Sequence, residues 1–111
     1  MTRRGLERAA PLTEKDFQRQ VLELAAIYGW RAYHPFLSKW SEKGFPDLTL
    51  IRTRDRRLLF AELKRDGGKL TEHQASWLDD LREVAGTPPR QAFEVYLWRP
   101  ADWDDVQAVL R

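Results

Sequence analysis

The sequence contains no cysteine among its 111 residues. This absence excludes disulfide bonds, thiolate zinc sites and cysteine nucleophiles, and it agrees with a reducing compartment, so we expect a cytoplasmic protein. The sequence also lacks an apolar run of about 18 residues, which a membrane-spanning helix needs. Its N-terminus lacks the charged-then-apolar pattern of a signal peptide. We therefore expect no membrane association.

The chain does contain enough apolar and aromatic residues for one core. Hydrophobic residues make up 42% of the sequence, with five Trp, five Phe and three Tyr, and charged residues of both signs make up 32%. A chain of 111 residues is too short for two ordinary cores. The composition therefore indicates a single folded domain and not a disordered tail.

The charges are unevenly distributed along the chain. The net charge is only +2, but residues 52–69 carry seven basic and three acidic side chains. The following stretch, residues 71–85, carries four acidic side chains and one basic side chain. The basic block is either the surface of a solvated hairpin or a face that meets an anion such as a nucleic acid.

The spacing of apolar residues and turn residues predicts an α/β domain over residues 13–111, preceded by a flexible basic arm over residues 1–12. Within the domain we expect helices over residues 14–28 and 71–85, and a short last helix that begins near residue 100. We expect strands over residues 30–34, 47–52, 57–64 and 93–98. The order is α-β-β-β-α-β-α, for which a central mixed sheet flanked by helices is the economical packing.

The predicted hairpin of the second and third strands brings charged residues together. A turn centred on Arg54 and Asp55 pairs Asp47 directly with Glu62, with Cβ atoms about 4.5–5.5 Å apart. Lys64 lies two residues beyond Glu62 and therefore on the same face of the sheet. Two carboxylates and one ammonium group are thus expected to meet in one small volume.

Two carboxylates at this distance repel each other unless a cation lies between them. An oxygen-only site of this kind suits Mg²⁺ or Mn²⁺, and the carbonyl of Leu63 would add a third protein oxygen. Lys64 would then orient or deprotonate a water, or stabilise negative charge on a phosphate. The alternative is a surface salt bridge on an ordinary hairpin. The apolar residues around Glu62 weigh against that alternative, because charge is costly where burial is expected.

The segments Gly44-Phe45-Pro46-Asp47-Leu48 and Glu62-Leu63-Lys64, followed by Gln74, resemble the pattern of the PD-(D/E)xK nucleases. More specifically, the chain resembles the VRR-NUC family, whose small stand-alone members are similar to Holliday junction resolvases. The resemblance extends from about residue 13 to residue 110. It implies a restriction-endonuclease-like fold and hydrolysis of DNA phosphodiesters with a divalent metal.

The resemblance also implies roles for individual residues. Asp47 and Glu62 would be metal ligands, and Lys64 would be the catalytic lysine. Gln74 would lie near the scissile phosphate, although Thr71-x-x-Gln74 also fits a capping box that explains the glutamine without a substrate.

The family carries an acidic residue on its first helix, and this position has two candidates here. Glu14 matches it best as a catalytic residue. If the resolvase spacing to the glycine that ends the helix is used, the position falls on Gln18. The two residues are one turn apart on one face, so both are candidates to line the site, with Gln18 facing DNA.

DNA is the expected partner. Arg65 and Lys69 follow Lys64 directly and are the expected phosphate contacts, because Gly67 and Gly68 let the backbone approach a ligand closely. No zinc finger or recognition helix is present, which favours recognition of DNA structure over recognition of base sequence.

Cutting two strands needs two sites, which a homodimer supplies. The apolar residues Phe36, Leu37 and Trp40 are candidates for the dimer contact or for a wedge at branched DNA, or they fill the edge of the core. The sequence thus predicts a metal-dependent, structure-selective DNA endonuclease. Two alternatives stay open: a non-catalytic nucleic-acid-binding module, and a nuclease component that is active only with a partner protein.

Overall fold

The computed structural model describes residues 12–35 and 42–111. Nearly all of the predicted basic arm lies outside the described residues, and so do Phe36, Leu37 and Trp40.

Within the described residues, the order of elements is the predicted one, with three helices and four strands. They are α1 (Glu14–Ile27), β1 (Arg31–Tyr33), β2 (Leu48–Arg52), β3 (Arg57–Leu63), α2 (Glu72–Ala85), β4 (Glu94–Trp98) and α3 (Trp103–Leu110). Two 3-10 turns, Thr53–Asp55 and Pro100–Asp102, precede β3 and α3. The second turn delays the start of the last helix by about three residues relative to the prediction, because Pro100 opens a tighter turn.

The first helix forms where a cap and an apolar stripe coincide. The Thr13 hydroxyl accepts a hydrogen bond from the Asp16 amide at 3.0 Å, which satisfies one free donor of the first turn. Phe17, Val21 and Ala25 recur every four residues and are buried. This face of α1 therefore packs against the sheet.

The four strands form one mixed sheet in the order β1-β2-β3-β4. β2 is antiparallel to both β1 and β3, whereas β3 and β4 are parallel. Leu48 pairs with Ala61 and Arg52 pairs with Arg57. This register is the one that the predicted turn requires, so it directs the chain just before Leu48 toward Glu62.

The two faces of the sheet are covered differently. One face carries Leu59, Ala61 and Leu63 into the main core, which α1 and α3 complete. On the other face, Phe60 packs edge-on against Phe45, with ring centroids 5.8 Å apart. Glu62 and Lys64 lie on the same face as Phe60, since residues two apart in a strand share a face.

The second face is covered by α2 through Trp77, whose ring centroid lies 5.0 Å from that of Phe45. A four-stranded mixed sheet flanked by three helices is the predicted architecture and is consistent with a restriction-endonuclease-like fold. Among the described residues, no helix combines the length and apolar character that a membrane span requires.

Candidate active site

The site is built at the open end of the β2–β3 hairpin, where the two strands separate. Asp47 immediately precedes β2, and its Oδ2 atom accepts a hydrogen bond from the Leu63 amide at 2.9 Å. This side-chain bond lies just beyond Leu48 and Ala61, the last pair of the β2–β3 ladder at this end. It holds the Asp47 carboxylate beside the end of β3.

Glu62 is the most unusual side chain of the site. It is 1% exposed, and both of its carboxylate oxygens are buried without a hydrogen-bond partner in the structure as described. A buried carboxylate without partners is costly. Burial, and secondarily repulsion from Asp47, raises the pKa of Glu62 to about 8. Burial also raises the pKa of Asp47, and the hydrogen bond from Leu63 offsets only part of that increase.

Lys64 supplies the positive charge of the site. It is 8% exposed, and its backbone amide donates to the Trp98 carbonyl at 3.0 Å. Its charge lowers the pKa values of Asp47 and Glu62, but burial outweighs this effect at both residues. The ion pairs among the described residues are all formed by arginines. Lys64 therefore contributes a buried cation that does not neutralise the carboxylate pair.

The two candidates on α1 are placed differently. Glu14 is the first residue of the helix, and its Oε2 atom lies 3.5 Å from the Arg65 amide nitrogen. Its negative charge contributes to raising the pKa values of Asp47 and Glu62. Gln18 is half-buried and lines a shallow groove along α1 with residues such as Leu22. Glu14 is thus the residue that stands at the edge of the carboxylate pair.

Gln74 takes part in a reciprocal cap at the start of α2. The Thr71 amide donates to Gln74 Oε1 at 2.9 Å, and the Gln74 amide donates to Thr71 Oγ1 at 3.1 Å. The capping-box interpretation is confirmed. The cap occupies the side-chain oxygen of Gln74, so a phosphate contact would use the side-chain nitrogen.

The backbone just before Asp47 makes a close contact with α2 that the sequence did not reveal. Gly44 has φ +87°, and a Cβ atom built there would lie 2.5 Å from the His73 carbonyl carbon. Only glycine lets the backbone pass this close to the first turn of α2. Gly44 was recognised as part of a motif, but its neighbour His73 is distant in sequence and carried no signal of the contact.

The expected phosphate contacts lie in the loop after β3. Arg65 and Lys69 are both exposed. Between them, Gly67 has φ +79° and open space around it, whereas Gly68 is buried against Arg65 and Glu14. The loop therefore presents two cations at the border of the acidic site.

The donor set suits one class of ion. The described residues include no group of three or more His, Asp or Glu side chains arranged as a complete metal site. Mg²⁺, however, keeps several waters and is usually bound through one or two carboxylates. The unpartnered oxygens of Glu62 and the neighbouring carboxylate of Asp47 provide such a pair. A hard divalent cation therefore fits the residues present.

A protein-family model matches the part of the chain that contains this site. The model of the VRR-NUC domain matches residues 11–91, which include Glu14, Asp47, Glu62, Lys64 and Gln74. No curated protein and no solved structure matches the chain. Since the matched region covers most of the chain, from α1 through α2, the chain belongs to the VRR-NUC domain family and contains a nuclease-type domain.

Proposed function

We propose that this protein is a divalent-metal-dependent endonuclease that hydrolyses phosphodiester bonds in branched DNA. The observation that carries the proposal is the buried carboxylate of Glu62, whose two oxygens have no hydrogen-bond partner in the described structure. It lies beside Asp47 and Lys64 in a domain of the nuclease type. Such a group costs stability unless a ligand neutralises it.

Asp47, Glu62 and the Leu63 carbonyl would hold Mg²⁺ or Mn²⁺. When bound, the metal supplies positive charge that offsets the carboxylate repulsion and polarises a phosphate oxygen. The same carboxylates exclude a bare anion from the site, so DNA and the metal are expected to bind together.

Lys64 would act on the phosphate that lies next to this pair. Its ammonium group can only donate hydrogen bonds, and it would stabilise the charge that develops on the phosphate oxygens or orient the attacking water. Glu14 borders the same volume from α1. Gln74 would contact the scissile phosphate through its side-chain nitrogen, because its oxygen already serves the helix cap.

Arg65 and Lys69 would hold the flanking phosphates. Both are exposed, and both lie in the loop that leaves the site after β3. Contacts of this kind hold DNA without reading its sequence, which supports recognition of DNA shape.

The proposal includes a homodimer. Each chain has one set of Asp47, Glu62 and Lys64, and two symmetry-related cuts need two sets. Light scattering at micromolar concentration checks this point. A monomer that still makes paired cuts in a four-way junction would contradict the dimer.

The central experiment measures cleavage of four-way, flap, nicked and linear DNA with Mg²⁺ or Mn²⁺. We expect cleavage of the branched substrates. Asp47→Asn and Glu62→Gln should each abolish it, with loss of Mn²⁺ binding in calorimetry and retention of DNA binding. Binding of Mn²⁺ without cleavage of any DNA would show that a partner protein is required. Failure to bind Mn²⁺ together with intact DNA binding would identify a non-catalytic module.

A further inference from the structure

The loop after β3 makes a tight turn beside the proposed site. The Gly68 amide donates to the Arg65 carbonyl at 3.0 Å, and Gly67 takes the positive φ that the turn needs. Arg65 stands on one side of this turn, and Lys69 follows directly after it. The position of the turn therefore determines where both cations point.

Residues 98–102, here called the strap, form three hydrogen bonds with this turn and with Lys64, which directly precedes it. The Trp98 carbonyl accepts from the Lys64 amide at 3.0 Å, and the Arg99 guanidinium donates to the Gly68 carbonyl at 2.7 Å. The Ala101 amide donates to Asp66 Oδ1 at 3.1 Å. The three bonds reach residues 64, 66 and 68, so the strap contacts the end of β3 and two positions of the turn.

The strap is itself a rigid element. Asp102 Oδ2 accepts from the Arg99 amide at 2.9 Å, and the Asp102 amide donates to the Arg99 carbonyl at 2.8 Å. Pro100 lies between them and fixes the backbone of the 3-10 turn. The amide and the carbonyl of Arg99 are therefore both hydrogen-bonded to Asp102, while the Arg99 side chain contacts Gly68.

We propose that the strap aligns Arg65 and Lys69 for DNA binding and that Arg99 is a positioning residue. The proposal rests on the proposed function, since it assigns the two cations to phosphates. The strap lies beyond residue 91, where the family match ends.

The metal ligands are held independently of the Arg99 side chain and of Ala101. Asp47 is fixed by the Leu63 amide, and Glu62 lies within the paired strands β2, β3 and β4. The hydrogen bonds of the Arg99 side chain and of Ala101 go to the turn and not to these carboxylates. Loss of the Arg99 side-chain contact or of the Ala101 contact should therefore weaken DNA binding and leave metal binding intact.

The main test compares Arg99→Ala with Arg90→Ala, which removes the same charge from an exposed loop between α2 and β4. A hydrogen bond from a charged donor is worth enough that we expect about a tenfold rise in KM and in the Kd for a four-way junction in Ca²⁺. The kcat should stay within about twofold, which corresponds to a small change in transition-state stabilisation. Mn²⁺ affinity should be unchanged, and the Gly68 amide should exchange its hydrogen faster.

A second pair of variants tests the proposal even if Arg99→Ala does not fold. Asp66→Asn and Asp66→Ala both remove the charge of an exposed side chain, but only asparagine keeps an acceptor for the Ala101 amide. We expect junction binding by Asp66→Ala to be about threefold weaker than that by Asp66→Asn, as befits one exposed hydrogen bond. Equal affinities in this pair would overturn the role of the strap.

The outcomes separate this inference from the proposed function. If the wild-type protein neither binds Mn²⁺ nor cleaves DNA, the endonuclease proposal fails, while the Kd values and the exchange of Gly68 still test the strap. If Arg99→Ala binds the junction as tightly as Arg90→Ala, the positioning role is wrong. If Arg99→Ala loses Mn²⁺ affinity in parallel with DNA affinity, Arg99 supports the whole site structurally, and the specific role is again overturned.

Discussion

The two ends of the β2–β3 hairpin differ in the partners of their carboxylate groups. At the end with the turn, each carboxylate is paired with an arginine. At the open end, Asp47 and Glu62 lie side by side, and no arginine of the described residues pairs with either. Both ends belong to the same sheet, so the difference lies in the partners that the surrounding elements bring to each end.

Arg52 organises the turn end. It is 4% exposed, and its guanidinium contacts both carboxylate oxygens of Asp55, at 3.0 and 2.8 Å. It also donates to the carbonyls of Tyr28 and Leu110, each at 2.9 Å. The hydrogen bonds from Arg52 lower the pKa of Asp55. One buried cation thus joins the end of α1, the hairpin turn and the end of α3.

A second ion pair lies next to it. Arg57 contacts Glu94 at 2.9 and 2.6 Å, and the Tyr96 hydroxyl donates to the same carboxylate at 2.7 Å. Burial alone would raise the pKa of Glu94, but the hydrogen bonds from Arg57 and Tyr96 outweigh it and lower the pKa. The guanidinium groups of Arg52 and Arg57 also lie 4.5 and 4.9 Å from the centroid of the Trp30 ring.

At the open end the pKa shifts have the opposite direction, because burial raises the pKa values of both Asp47 and Glu62. A charged group whose partners are present stabilises the fold, whereas one without partners destabilises it until a ligand arrives. The turn end therefore serves stability. The open end carries acidic groups whose ionised forms lack partners, as expected for a site that binds a cation.

The largest expected effect is on catalysis at the open end. Lys64→Ala should lower the cleavage rate by about 10²–10³, the usual cost of removing one well-placed electrostatic group. Because the lysine is not a metal ligand in this proposal, calorimetry should show Mn²⁺ affinity retained. A variant that cleaves within about tenfold of the wild-type rate would identify Lys64 as a structural lysine.

The largest expected effect on stability is at the turn end. Arg52→Ala should lower the free energy of unfolding by about 4 kcal/mol, because it leaves buried carbonyls and a carboxylate without their donor. Urea unfolding measures the change. Arg54→Ala, at an exposed arginine of the same turn, is the matched control and should change stability by only about 0.5 kcal/mol. Equal changes in the free energy of unfolding for the two substitutions would show that Arg52 stabilises the turn end no more than an exposed arginine does.

Glu62→Gln should stabilise the metal-free protein at high pH. The pKa of Glu62 rises from 4.5 to about 8 on folding, so the folded state favours the protonated form. Wild-type stability should then fall as pH rises from about 5 to about 8, whereas glutamine has no proton to lose. We expect Glu62→Gln to gain about 2 kcal/mol relative to wild type at pH 8 in EDTA, and much less at pH 5.

Thermal unfolding with and without Mn²⁺ completes this test. The metal should raise the Tm of the wild-type protein at pH 8 and leave Glu62→Gln unchanged, because binding to the folded state alone stabilises it. A Tm of Glu62→Gln below that of wild type at pH 8 in EDTA would show that Glu62 is satisfied in the fold.

The smallest expected effect has the opposite dependence on pH. Glu94→Gln should destabilise the protein by about 1 kcal/mol at neutral pH, because it weakens the hydrogen bonds from Arg57 and Tyr96. The folded-state pKa of Glu94 is lowered below 4.5, so its contribution is present above that pH and is lost as pH falls through the folded-state pKa. A difference between the two proteins that persists at pH 3 would contradict this origin.

Local patterns determined much of the fold and of the site. The caps at Thr13 and Thr71 and the apolar spacing of α1 marked the helices, and these features act over three or four residues. The turn after Arg52 determined the register of the hairpin, since strand side chains alternate with a period of two. The juxtaposition of Asp47 with the end of β3 followed from the same rule.

Contacts between distant segments could not be read in this way. Nothing in the sequence indicated that Gly44 would contact His73 or that Arg99 would contact Gly68. Nor did it show that Arg52 would reach the carbonyl of Leu110, 58 residues away. Each of these partners is supplied by a helix or loop that docks only when the whole core forms.

The sequence by itself thus determined the order of elements, the hairpin register and the pairing of acidic residues at its open end, because short-range periodicity and turn chemistry suffice for them. The tertiary structure alone decided which charges are neutralised. Helix α3 brings its terminal carbonyls to Arg52, and β4 brings Glu94 to Arg57, whereas no described element brings a hydrogen-bond donor to the Glu62 oxygens. Burial and hydrogen bonding depend on the packing of elements that are far apart in the chain, and packing sets the pKa of each carboxylate.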